Sequence, residues 1–101
     1  MVKKISKKDF KQETQGLVLV DFYADWCGPC RMVSPVVEDL SNSMPDVGFR
    51  KVNVDEENEL AAMYGVRSIP TLILFKDGKE VDRNIGFAPK QKLEAMINSH
   101  K

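Results

Sequence analysis

The sequence predicts an α/β fold, in which a mixed central sheet of five strands is flanked by four helices on both faces. Three observations carry this. The first half of the chain alternates strand-like runs with stretches of helical period, and the second half ends in a hairpin signal followed by one more helical stretch. Within the first half sits Leu17–Val20, a continuous apolar run of the kind that suits a strand covered on both faces.

Taken in order, residues 2–5 read as a short first strand, and Ser6 is placed to cap a helix over 7–15 that Gly16 ends. The apolar run follows and continues through Phe22 and Tyr23, interrupted by Asp21. Two cysteines come next, spaced Cys-x-x-Cys, and Val33, Val36, Val37, Leu40 and Met44 then repeat at helical period, so the cysteines open a helix. A loop over 42–46 contains Pro45, and 48–55 alternates as a strand. Residues 57–64 read as a short acidic helix with Leu60, Met63 and Tyr64 on one stripe and Gly65 as its cap. Thr71–Phe75 and Glu80–Ile85 are strands joined through Asp77-Gly78, a strong hairpin signal, and Gly86 marks a turn. A closing helix starts near Pro89, with Leu93, Met96 and Ile97 facing the core.

At 101 residues the chain has room for one domain, 1–101, around one core. Lysine plus arginine and aspartate plus glutamate each number 15, and the only basic clusters are the pairs Lys3-Lys4 and Lys7-Lys8. Neither nucleic acid nor an anionic membrane is indicated. The basic N-terminus has no apolar segment behind it, and no run approaches the roughly 20 apolar residues of a membrane span, so a cytoplasmic protein is expected. In a reducing compartment a close cysteine pair is usually catalytic or transient, which points to redox chemistry. Zinc is excluded within one chain, because there is no second cysteine pair and the single histidine is His100.

Residues three apart on a helical turn have Cβ atoms about 5 to 6 Å apart, whereas a disulfide prefers roughly 3.5 to 4.5 Å. Cys27 and Cys30 can therefore bond with some strain. Chain entropy gives so small a loop only about 2 kcal/mol of stabilisation, which suits a reagent better than a scaffold. Cys27, where the helix's unpaired N–H groups point outward, is the expected nucleophile; Cys30, further into the helix and less exposed, is placed to resolve the mixed disulfide. Two readings fit Asp21: a buried base for the Cys30 proton, its pKa raised by burial, or a carboxylate turned to solvent at a strand end. Lys51, on a neighbouring strand, either pairs with it or stays in water. Trp26 is either a core tryptophan or a wall of the reactive surface.

With these residues in hand the chain resembles the thioredoxin family over nearly its whole length. The matching segments are Val20-Asp21-Phe22, Trp26-Cys27-Gly28-Pro29-Cys30, Pro35, Lys51–Asp55, Ile69-Pro70-Thr71-Leu72 and Gly86, in the family's order. The resemblance implies the thioredoxin fold and a general protein-disulfide reductase, and a monomer is the default expectation because no long apolar edge strand or heptad seam forces association. It would bind no cofactor and be recharged by thioredoxin reductase, a flavin-containing enzyme. It also implies that Asp21 is the family's buried acid with Lys51 beside it, that Pro35 kinks the second helix, and that Gly28-Pro29 tunes the cysteine pair toward reduction. Thioredoxin is the standard example of a lowered cysteine pKa and low reduction potential. By the same resemblance Pro70 is cis, although only about 5 to 6% of X–Pro bonds in folded proteins are. Trp26, Ile69, Pro70 and Gly86 then form the substrate surface, which residues 65–69 and 86–88 complete, with the Ile69 backbone free to bond an extended strand.

Tyr23, Arg31 and Phe87 depart from the family's commonest residues without removing a catalytic part, and Phe87 adds an apolar group to the docking rim. Besides a protein with a merely structural disulfide, which the short loop disfavours, two other readings stay open. One is an oxidase or isomerase of the same fold, which the missing signal peptide disfavours; the other is a binding module indifferent to its cysteines.

Overall fold

The computed structural model describes residues 1–101. Its five strands are β1 (Lys3–Lys4), β2 (Leu17–Tyr23), β3 (Gly48–Asn53), β4 (Thr71–Lys76) and β5 (Lys79–Ile85). Its four helices are α1 (Phe10–Glu13), led in by a 3-10 turn Lys7–Asp9, then α2 (Gly28–Ser43), α3 (Asn58–Met63) and α4 (Lys90–Asn98). The strands lie in the order β1-β3-β2-β4-β5. β1 and β2 run parallel to β3, while β4 is antiparallel to β2 and β5 to β4, so the sheet is mixed as expected. No helix is long and apolar enough to cross a membrane.

Alternation along a strand sends successive side chains to opposite faces, and β2 shows why its run is apolar throughout. Leu19 joins Val33, Val37 and Leu40 of α2 and Leu93 and Ile97 of α4 in one core cluster. Val18, Val20 and Phe22 join Phe10 of α1 and Leu60 and Ala61 of α3 in another. Both faces of the central strand are therefore covered. The hairpin turn has both central residues at positive φ, Asp77 at 51° and Gly78 at 84°, the geometry Asp-Gly supplies in a two-residue loop.

Several expected boundaries move, each for a local reason. The first helix shortens because the Thr14 hydroxyl donates to the Phe10 carbonyl at 2.9 Å, occupying the acceptor that would continue the turn. β3 ends at Asn53 rather than Asp55, since Asn53 Oδ1 accepts from the Asp55 amide at 2.9 Å and from Glu56 at 3.3 Å, turning the chain. α3 is only six residues long, and its apolar stripe passes from Leu60 to Tyr64 just beyond its end. Tyr64 packs against Phe10 and Phe75 at ring-centroid distances of 5.3 and 5.2 Å, leaving Met63 exposed, contrary to expectation. α2 runs on through Pro35 to Ser43.

Candidate active site

The apolar β2 delivers the chain to a tight turn at the carboxyl end of the central strand, and α2 begins there. Cys27 is the N-cap of α2, and its sulfur accepts a hydrogen bond from the Cys30 amide at 3.2 Å. The cap position explains why a cysteine suits this site: the first amides of a helix lack intrahelical partners and favour a negative group facing them. Cys27 and Cys30 are joined as a disulfide with Cα atoms 5.2 Å apart. Expectation fails in one respect: the resolving cysteine is not distinctly less exposed, since Cys27 is 4% and Cys30 3% accessible. Ala24, Ile69, Tyr23 and Val54 pack around the pair.

The Ile69–Pro70 bond is cis, as the resemblance implied. The Ile69 carbonyl oxygen lies 3.7 Å from Cys27 Sγ. Gly86, at φ +92°, donates its amide to the Pro70 carbonyl at 2.7 Å, which ties the turn after β5 to the segment facing the cysteines. Trp26 is 69% exposed and is held by a hydrogen bond from Nε1 to Asp55 Oδ2 at 2.8 Å. It is a surface group and not a core tryptophan. Phe87 is 45% exposed on the neighbouring turn, while Gly28 and Pro29 form the first turn of α2.

Asp21 is 5% accessible, which removes the reading that it turns to solvent. Its Oδ1 has no hydrogen-bond partner. Burial pushes its pKa up to about 7, against a smaller downward pull from the Lys51 charge. Asp21 lies in register with Lys51 across β2 and β3. Both line a cleft of about 260 Å³ that Cys30, Tyr23, Arg31 and Ser34 also border. Instead of pairing with Asp21, Lys51 holds its ammonium 5.8 Å from the Tyr23 ring centroid.

The structure thus brings Cys27, Cys30, Ile69, Pro70 and Gly86 together on one side of the turn, and Asp21 and Lys51 on the other side of Cys30. Sequence reasoning missed Asp55 as the anchor of Trp26. It stood in the stretch Lys51–Asp55, but nothing in its spacing pointed across to the tryptophan. Tyr23 was read as the end of the apolar strand and as a departure from the family's usual residue, not as a neighbour of the Lys51 ammonium.

A dithiol-disulfide pair at a helix N-terminus, with a buried acid in the adjoining cleft, can exchange disulfides. Comparison with known proteins agrees. The family model described as Thioredoxin matches residues 1–99. Thioredoxin of Chlamydia pneumoniae is 52% identical over 99% of both chains, and thioredoxin of Bacillus subtilis is 48% identical over 96% of this chain and 95% of its own. Among solved structures, thioredoxin of Malassezia sympodialis superposes with a TM-score of 0.89 at 44% identity, covering 99% of this chain and 90% of that one. Fasciola hepatica thioredoxin gives 0.87 at 43%, covering 99% and 100%. The chain therefore belongs to the thioredoxin family and is a protein-disulfide oxidoreductase acting by dithiol-disulfide exchange.

Proposed function

We propose that the protein is a general reductant of protein disulfides in the cytoplasm, acting as a single-domain monomer that a flavin-containing thioredoxin reductase recharges. In the reduced protein the Cys27 thiolate attacks one sulfur of a substrate disulfide. A Cys27–substrate bond forms, the substrate S–S bond breaks, and the departing sulfur leaves as a thiolate that takes a proton from water. Cys30 then gives its proton to the Asp21 carboxylate and attacks Cys27 Sγ, releasing the second substrate thiol. Two electrons have passed to the substrate, and the Cys27–Cys30 disulfide seen here is the product. Trp26, Ile69, Pro70 and Gly86 receive the substrate, with the Ile69 carbonyl accepting from its backbone.

The observation that carries this reading is the cysteine disulfide at the N-cap of α2 beside an unpartnered buried carboxyl. A trapping experiment tests it. Reduced Cys30→Ser protein mixed with insulin should accumulate a mixed disulfide through Cys27, and Cys27→Ser protein should not. Equal adducts from both variants, or none from either, overturn the assignment. The direction of exchange is tested separately by the reduction potential, read from Trp26 fluorescence in graded thiol-disulfide buffers. A value well below the cytosolic glutathione poise is expected, and one near or above it indicates an oxidase or isomerase.

A further inference from the structure

Two acceptors compete for the Lys51 ammonium. Asp21 stands beside it in register on β2, and Tyr23 lies two residues further along the same face of that strand. Coulomb attraction in a poorly solvated cleft favours the carboxyl once it is ionised, yet no ion pair in the protein involves Lys51. Its Nζ sits 5.8 Å from the Tyr23 ring centroid, within the range at which a cation is held by an aromatic face. We propose that Tyr23 is a positioning residue for the proton-accepting role of Asp21, its ring holding the Lys51 ammonium away from the Asp21 carboxyl.

The consequence follows from what else faces Asp21. From β3 there is Lys51, from α2 Cys30 and Arg31, and from the turn after β2 Asp25; from β4 the residue in register is Leu72, which carries no charge. Arg31 is committed elsewhere, since its guanidinium donates to the Asp25 carbonyl at 2.9 Å. Lys4, which also acts on Tyr23, is neutralised by Glu56 at 2.6 Å. Lys51 is thus the one cation in reach whose position is open to choice. With its ammonium on Tyr23, burial dominates at Asp21, and the carboxyl is poised to take up and release a proton near neutrality. With the ammonium on Asp21, the carboxylate is stabilised and becomes too weak a base to accept the Cys30 proton. Burial keeps the Tyr23 phenol neutral well above that range, so the ring stays available as the holding group.

The inference rests on the reading of Asp21 as the Cys30 proton acceptor, but its test does not. Asp21 is titrated in the oxidised protein, without substrate, by the side-chain ¹³Cγ shift. Tyr23→Leu should lower the midpoint by about one pH unit or more, as an approaching opposite charge does. Tyr23→Phe and Tyr23→Trp keep a ring and should leave the midpoint within a few tenths of wild type. In a Lys51→Met background, Tyr23→Leu should change nothing, which separates release of the lysine from simple opening of the cleft to water. An unchanged midpoint in Tyr23→Leu, an equal fall in Tyr23→Phe, or a fall that persists without Lys51 each overturns the proposal. Tyr23→Met, nearer the ring in bulk, replaces Tyr23→Leu should the latter not fold. A failed mixed-disulfide trap leaves this titration standing, and a failed titration leaves the exchange reaction standing.

Discussion

Replacing Asp21 by asparagine should make the protein more stable at neutral and alkaline pH, and by an amount that depends on pH. Burial raises the Asp21 pKa from 3.8 to about 7 in the folded chain. Between those values the unfolded carboxylate has lost its proton while the folded one keeps it. The folded state binds one proton more, so stability falls as pH rises, by about 1.4 kcal/mol per pH unit. Below about pH 4 the contribution is fully present, and once pH passes about 7 the loss is complete at about 4 kcal/mol. Asparagine has nearly the same shape and never ionises, so its stability lacks this slope. The assay is urea denaturation of the oxidised proteins from pH 4 to 9, a form in which the cysteines do not titrate. The difference between variant and wild type should be small at pH 4, should grow in the variant's favour through pH 5 and 6, and should level off near about 4 kcal/mol above pH 7. A difference that stays flat across the range would refute the reasoning, because it would mean that Asp21 is as well solvated folded as unfolded.

Other consequences follow from packing and exposure. Phe87→Ala should slow turnover with a protein substrate more than with a small disulfide, since the ring is 45% exposed next to Gly86 on the proposed docking surface; equal effects on both would remove Phe87 from that surface. Gly48→Ala places a Cβ 2.9 Å from Val18 Cγ2, a side chain locked in the core, and should cost about 1–3 kcal/mol by chemical denaturation. Gly86→Ala meets no atom but must adopt φ +92°, and a cost of about 1–3 kcal/mol is expected from backbone strain alone. A neutral result at Gly86 would show that the turn relaxes, and the Gly86–Pro70 hydrogen bond should then be lost as well.

The fold was legible where a residue pattern has one physical solution. A fully apolar run must be covered on both faces, an Asp-Gly pair closes a tight hairpin, and helical periodicity after the cysteines had to bury Val33, Val37 and Leu40. Element ends were less legible, because side-chain hydrogen bonds decide them and periodicity does not see these: Thr14 stops α1 and Asn53 stops β3. In the site, the cysteine pair was readable from spacing and the cis bond at Pro70 only from resemblance. The fate of Asp21 was open until the sheet placed a covered strand on each side of β2. Lys51 was illegible in a different way. Its strand followed from the sequence pattern, but its register opposite Asp21 and its place beside the Tyr23 ring are tertiary geometry; of the two readings, pairing with Asp21 or staying in water, the structure shows no ion pair and puts the ammonium next to the ring.

That choice acquires its meaning from where the acid sits on β2. The strand is central, paired on both sides, so it cannot bend outward to give a carboxyl access to water. Val20 and Phe22 point to the core beneath α1 and α3, away from the cysteines. Leu19 shares the face of Asp21 but lies deeper, under the middle of α2 and α4. Tyr23 shares that face too, but it is only half-buried, and a carboxylate there would stay ionised at neutral pH. Position 21 is the one place on the strand that is buried and also borders the cleft of Cys30. An acid there costs about 4 kcal/mol at neutral pH, a large share of the 5–15 kcal/mol by which proteins of this size are stable. Letting Lys51 pair with Asp21 would recover part of that cost and lower the basicity that the proposed proton transfer from Cys30 requires. In the role proposed for Tyr23, the ring keeps the protein on the costly side of this balance, where the carboxyl can still receive a proton.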